Sequence, residues 1–321
     1  MKTVLITGGA GFVGSHLCEA ELAAGNRVIC YDLADDKKIR HLLHNDHFQY
    51  VHADILDFGY LSEHIDRCDL FYHLAAIADP AVYCNKPVKV LEVDLEGTIM
   101  AIKMAYSQGK KIVFSSTSEI YGKNPKVPWR EEADRVLGTT ATPRWSYASS
   151  KAIGEHYCYA YGQLGLKFTI VRFFNFYGPR LDFLGAGRVI PCFMEKFLKD
   201  EPVEVCLPGT QTRCFTYIDD GIRALMAAAR NEDNTSFNIG TEDQVSMMDL
   251  AVMMKDLGGF MSDLVAIPAS KKYGEGYEDI MNRAPDCSKV RTMLDWKPKV
   301  SLVDGLNKTI SYYKELSCVS Q

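Results

Sequence analysis

The chain has 321 residues, 47% apolar and 24% charged, with a net charge of −5 and ten cysteines. That length suggests about two domains with ample core material, and the scattered basic residues point away from a nucleic-acid surface. No apolar run approaches the roughly 18 residues of a membrane span, the N-terminus enters a strand without a secretion signal, and the cysteines form no C-x-x-C pair, so a cytoplasmic protein without a metal site is expected.

In chain order, the first half alternates short runs rich in β-branched and aromatic residues with amphipathic stretches. TVLIT, RVICYD, FQYVHAD, DLFYHLA, KIVFSS and FTIVRFF are predicted strands. SHLCEAELAAG and VKVLEVDLEGTIMAIKMAYSQG are predicted helices between them. Such alternation predicts a parallel sheet covered on both faces. After residue 175 Pro and Gly become frequent and short elements mix, with no linker between the halves. The expected fold class is therefore α/β: a doubly wound parallel sheet with a smaller, interleaved α/β domain.

Within the first strand–helix unit, TVLITGGAGFVGSHL places Gly8, Gly11 and Gly14 directly after a strand and at the opening of a helix. Glycines there let the backbone turn tightly and approach a pyrophosphate, and the helix N-terminus supplies free N–H groups. Asp32 closes the next strand. A carboxylate at that position accepts from both ribose hydroxyls and repels a 2′-phosphate, which favours NAD over NADP. Asp54 ends the third strand, where it either faces an adenine or caps a helix. Phe12 and Val13 at the helix opening, Ile55 and Ala75 complete the expected cofactor lining.

Farther on, SSTSEIYG (115–122) ends the fifth strand and YASSK (147–151) opens a helix. Tyr147 and Lys151 are four residues apart and share one helical face. A phenol with an ordinary pKa near 10 is a poor base at neutral pH. A neighbouring ammonium, with a cationic nicotinamide close by, is expected to lower it. Thr117 offers a hydroxyl to the same substrate oxygen.

These motifs, with HLAA, RFFNFYGPR and RCFTYIDD in the same order, resemble the extended short-chain dehydrogenases/reductases of the NAD-dependent sugar-nucleotide epimerase/dehydratase group, over nearly the whole chain. The resemblance implies a Rossmann-type cofactor domain (1–174, with a return segment about 214–240). It implies a nucleotide-sugar domain (175–213 and 241–321) and a sugar oxidised transiently at C4. Asn175 and Arg213 match residues that relatives place near the diphosphate or nucleotide, and Arg188 and Ser118 join the expected substrate contacts. Many relatives have Asn where this chain has Asp94, so Asp94 is assigned no role. The resemblance also implies a homodimer, through a four-helix interface built from about 86–108 and 146–164.

Three stretches narrow the resemblance to UDP-glucuronate decarboxylases: PRWSYASSK, ADPAVYCNKP with Tyr83, and YGEGYEDIMNRAPD with Tyr277 and Arg283. Arg283 is the one cation of the last stretch, expected on a closing loop over the sugar's C5 carboxylate. It would orient that group for loss of CO2 from a β-keto acid. Glu119 matches a catalytic glutamate of the decarboxylases, and 4,6-dehydratases carry Glu there too. A UDP-glucuronate decarboxylase giving UDP-4-keto-pentose or UDP-xylose is the leading expectation. The alternatives are a UDP-sugar 4-epimerase, including one of UDP-glucuronate itself, a 4,6-dehydratase, and a catalytically silent NAD-binding protein. The plant UDP-apiose/UDP-xylose synthases, as the resemblance implies, use two cysteines that this chain lacks; Ser118 holds one place, and Ala78 and Asp79 flank the other.

Overall fold

A computed structural model of the chain describes residues 1–182, 184, 187–231, 234–273 and 278–319. Six strands follow the predicted runs: β1 (Thr3–Thr7), β2 (Arg27–Asp32), β3 (Phe48–His52), β4 (Leu70–His73), β5 (Lys111–Thr117) and β6 (Phe168–Phe173). The remaining strands are short: β7 (Phe176–Tyr177), β8 (Val203–Cys206), β9 (Thr212–Cys214), β10 (Thr216–Tyr217), β11 (Thr235–Ile239), β12 (Gln244–Ser246), β13 (Leu264–Ile267) and β14 (Asn282–Arg283). The main sheet has seven parallel strands in the order β11-β6-β5-β4-β1-β2-β3. The chain starts at an inner strand and winds outward in both directions, the Rossmann-type arrangement expected.

Alternation along each strand feeds two cores. Val4, Ile6, Val28, Cys30 and Val113 face one side, packing with α1 (Phe12–Ala23), α7 (Val189–Leu198), α8 (Ile218–Arg230) and α9 (Met247–Gly258). Leu5, Ile29, Tyr31, Ile112 and Phe114 face the other. There they meet α2 (Phe58–Asp66), α5 (Thr98–Ser107) and α6 (Trp145–Gln163). Period-two side chains on a sheet buried on both faces require this division.

The predicted long helix before β5 differs in detail. After the single turn α3 (Pro80–Asn85), the run from Pro87 is α-helical as α4 (Pro87–Val90), π-helical over Leu91–Gly97, and α-helical again in α5. A small mixed sheet, β12-β9-β14, stands beyond the C-terminal edge of the main sheet, with β14 parallel to β9. Arg172 of β6 ties the main sheet to α6 and to its own edge strand: it pairs with Glu155 of α6 at 2.6 Å and donates to Tyr121 Oη, which in turn donates to Asn238 of β11.

Candidate active site

The C-terminal ends of β1, β2, β4, β5 and β6 converge on one cleft, the place where open parallel sheets bind ligands. Behind β1 the chain turns through Gly8 at φ +73°. A Cβ at Gly8 would lie 2.7 Å from Ala75 N, and one at Gly14 only 2.1 Å from Gly8 O, so both positions require glycine for close backbone packing. Gly11 caps α1 without a side-chain bond, and no acid stands in the helix's first turn. The N–H groups of Phe12 and Val13 therefore open the helix toward an anion. Asp32 braces the turn: Oδ2 accepts from Ala10 N and Oδ1 from Ala34 N, both at 2.9 Å. Asp54 Oδ1 accepts from Leu56 N in a local turn, while Asp57 caps α2, so the helix-cap alternative for Asp54 does not hold. Ile55 is buried beside it. An uncapped helix N-terminus behind a glycine turn, with a carboxylate closing the neighbouring strand, is a donor set that fits a dinucleotide.

Tyr147 and Lys151 lie on the buried face of α6 against β5. Lys151 Nζ donates to Ser115 O at 2.9 Å. Burial pulls its pKa down to about 8, against the opposing charges of Asp94 and Glu155. Tyr147 stacks on Tyr83, ring centroids 5.4 Å apart and planes within 11°. Burial, then Asp94 and Glu119, raise the phenol above the usual tyrosine range; Arg188 and a hydrogen bond with Thr117 oppose them. The expectation that Lys151 lowers this phenol is corrected for the protein by itself. The leading influences are those just given, and the ammonium donates to Ser115 O.

The largest departure concerns Arg283. It stands on β14, buried, rather than on a loop, and it is not a lone cation. Its Nη2 pairs with Glu119 Oε1 at 2.5 Å and its Nη1 reaches Ser118 Oγ at 3.4 Å. Arg144 Nη2 holds the other oxygen of Glu119 at 3.0 Å. Burial would raise Glu119, but Arg144, then Arg283, outweigh it and hold the carboxyl at about 2. The cluster thus sets two guanidinium groups against one carboxylate. The Nε of Arg283 makes no hydrogen bond among the described residues.

The other expected contacts scatter around the same cleft. Arg213 pairs with Asp279 at 2.8 Å and also donates to Ile280 O. Arg188 reaches Asp182 and Ala78 O. Asn175 adopts φ +39° and donates to Cys214 O at 3.2 Å, tying the end of β6 to β9. Tyr277 lies outside the described residues. Thr117, Glu119, Tyr147, Tyr83, Asn175, Arg188, Arg213 and Arg283 line one cavity together with Arg144.

Two groups escaped the sequence reading. Arg144 carried a signal: a cation at a helix N-terminus opposes the helix dipole, so its charge must be matched elsewhere, here by Glu119. Asp94 carried another, an acid in register with Val90, Thr98 and Ala101 on a buried helix face.

A model of the NAD dependent epimerase/dehydratase family matches residues 4–240. The chain belongs to that family. Its cofactor is NAD, and it is an NAD-dependent nucleotide-sugar enzyme of the extended short-chain dehydrogenase/reductase type. A UDP-N-acetyl-α-D-glucosaminuronate decarboxylase of Bacillus cytotoxicus is 38% identical over 317 residues, 98% of each chain. Among solved structures, a UDP-glucose 4-epimerase of Thermotoga maritima is 30% identical, covering 98% of this chain and 99% of that one, with a TM-score of 0.88. A UDP-glucuronic acid 4-epimerase of Bacillus cereus, in complex with UDP-glucuronic acid and NAD, is also 30% identical over the same shares, with a TM-score of 0.86.

Proposed function

We propose that this enzyme is a UDP-hexuronate decarboxylase. The observation that carries the reading is the Arg144–Glu119–Arg283 cluster at the end of β5. It sets the buried guanidinium of Arg283, held by Glu119, at the strand end beside the expected base. A uronate offers that guanidinium a carboxylate, the charge-assisted, planar contact that arginine favours. The decarboxylase relative acts on a uronic acid, which supports the same chemistry.

In this reading the α1 N-terminus and Asp32 would hold NAD, which would supply the acceptor for the hydride leaving the sugar's C4. Tyr147 Oη takes the C4-hydroxyl proton, with Thr117 on the same oxygen and Lys151 behind. The C4 carbonyl then lies β to the C6 carboxylate. Arg283 orients that carboxylate; the C5–C6 bond breaks, its electrons pass into the C4 carbonyl, and CO2 departs. A proton added at C5 gives UDP-4-keto-pentose, and re-reduction gives UDP-xylose. Residues 1–174 and 214–240 serve the cofactor in this scheme, and 175–213 and 241–321 the nucleotide sugar, with Asn175, Arg188 and Arg213 toward the diphosphate end. A homodimer forms through α5 and α6, whose outer faces expose Tyr106, Ile153 and Tyr159.

Incubation with UDP-glucuronate and NAD, followed by mass spectrometry, tests the reaction. Loss of the mass of CO2 is expected. An unchanged mass with a shifted retention time means 4-epimerisation and overturns the proposal. A parallel incubation with UDP-N-acetylglucosaminuronate, the substrate class of the 38% identical relative, settles which hexuronate is used; inertness of both also overturns it.

A further inference from the structure

Arg180 follows β7 in the stretch NFYGPR and stands at φ +65°. That left-handed conformation is costly for a residue with a Cβ and persists only where its surroundings hold it. The Arg180 side chain is 14% exposed and grips Glu19 of α1 with both terminal nitrogens, Nη1 to Oε1 at 2.7 Å and Nη2 to Oε2 at 2.8 Å. Nη1 also donates to Lys38 O at 3.2 Å, and Nη2 to His16 Nδ1 at 2.7 Å.

These contacts join three segments. In α1, His16 Nε2–H donates to Pro179 O at 3.0 Å, which leaves Nδ1 as the acceptor for Arg180. Burial, then Arg180, hold this imidazole down at about 4, so it meets the guanidinium uncharged. Its ring stands perpendicular to that of Phe12, with centroids 5.7 Å apart, and Phe12 opens the helix. Lys38 ends the short helical turn Asp36–Lys38 after β2, the strand that Asp32 closes. On its other side the loop is fixed by Asp182, whose O accepts from Tyr313 Oη of the C-terminal helix (Leu302–Val319) at 3.1 Å.

We propose that Arg180 is a positioning residue for the cofactor: it ties α1 and the segment after β2, the two walls of the dinucleotide seat, to the anchored loop after β7, and so fixes the spacing between them. A guanidinium suits the task because its planar fork serves a carboxylate, an imidazole and a carbonyl at once, where an ammonium is a point charge. The inference rests on the α1 N-terminus and Asp32 as the seat of NAD.

Loosening this tie leaves the parallel pairing of β1 with β2 and the bracing of Asp32 in place, because each has its own contacts. What it frees is the distance between α1 and the segment after β2. The loss therefore falls on NAD, whose pyrophosphate and ribose must meet both walls together. The nucleotide-sugar end should be spared, since the loop keeps its anchor on Tyr313 and Arg213 stands apart on β9.

The experiment follows the exchange of bound NAD for labelled NAD in the NAD-loaded wild-type, Arg180→Met, Arg180→Lys and Glu19→Gln enzymes. UDP titrations and melting curves are run on the same samples. In Arg180→Met, NAD exchange should quicken by about tenfold, the equivalent of one charge-assisted bond to the cofactor, with UDP affinity unchanged. Arg180→Lys keeps the charge without the fork and should fall between. Unaltered exchange in Arg180→Met overturns the inference, as does a loss of UDP affinity by the same factor, which marks general support of the fold. If Arg180→Met shows no native melting transition, Glu19→Gln decides alone: it must quicken NAD exchange and spare UDP, and any other result overturns the role. Asp32→Ala is assayed alongside. Unaltered exchange there removes the seat on which the inference rests, whereas faster exchange there with an unaltered Arg180→Met removes only the role of Arg180.

Discussion

Arg283 concentrates what a single side chain decides in this cleft. Buried on β14 and tied to Glu119, it is placed by its strand and not by the acids of its own stretch. Arg283→Ala is expected to remove a charge-assisted hydrogen bond to a uronate worth about 1.5–3 kcal/mol, and decarboxylation should collapse. Paired calorimetric titrations check the assignment: affinity for UDP-glucuronate should fall while affinity for UDP stays. Equal losses for both ligands would mean that Arg283 merely supports the fold of the cleft. That Arg283 mattered was legible because it is the one cation in its stretch. Its partner was not, because Glu119 is 164 residues away (283 − 119) and nothing local brings a two-residue strand to the end of β5.

Among the elements, the β1–α1–β2 unit was the most legible. Its alternating strands, glycine spacing and terminal Asp32 each obey a local rule, and local rules survive without knowledge of the tertiary fold. Asp32 holds the cradle through Ala10 and Ala34, so it presents a carboxylate in a braced position at the strand end. NAD should accordingly bind at least tenfold more tightly than NADP, a gap of about 1.4 kcal/mol; equal affinities in a fluorescence titration would dismiss that role for Asp32. The helix before β5 was legible in extent and not in form. Its apolar period continues through Leu91–Gly97, and the π-helical offset that turns Asp94 inward leaves no separate mark on composition. The small β12-β9-β14 sheet was illegible for another reason: strands of two or three residues are too short to show any period.

At the scale of the whole molecule, the interleaving of the two parts follows from β11, which returns after residue 230 to pair with β6 at the sheet edge. Such a long-range pairing is set by packing against α8 and by the Arg172–Glu155–Tyr121–Asn238 chain of contacts, none of which a local window contains. The outer faces of α5 and α6 remain, with Tyr106 37%, Ile153 38% and Tyr159 41% exposed. Sedimentation equilibrium should report a dimer. Ile153→Glu should shift it to monomer while preserving the melting transition, and a wild-type monomer at micromolar concentration would rule the interface out.

The Glu119–Arg283 contact makes anion entry an exchange reaction. Glu119 is a tethered competitor, present at the high effective concentration that covalent attachment confers, and Arg144 remains to receive it when Arg283 turns to a ligand. A neutral hexose offers no charge in return for breaking that contact. A uronate repays the exchange in kind. In the proposed decarboxylase, selectivity for the acidic sugar would thus come from an internal counter-ion that weaker ligands fail to displace, placing discrimination in the protein's own resting contact and leaving the walls of the cleft free to serve the nucleotide.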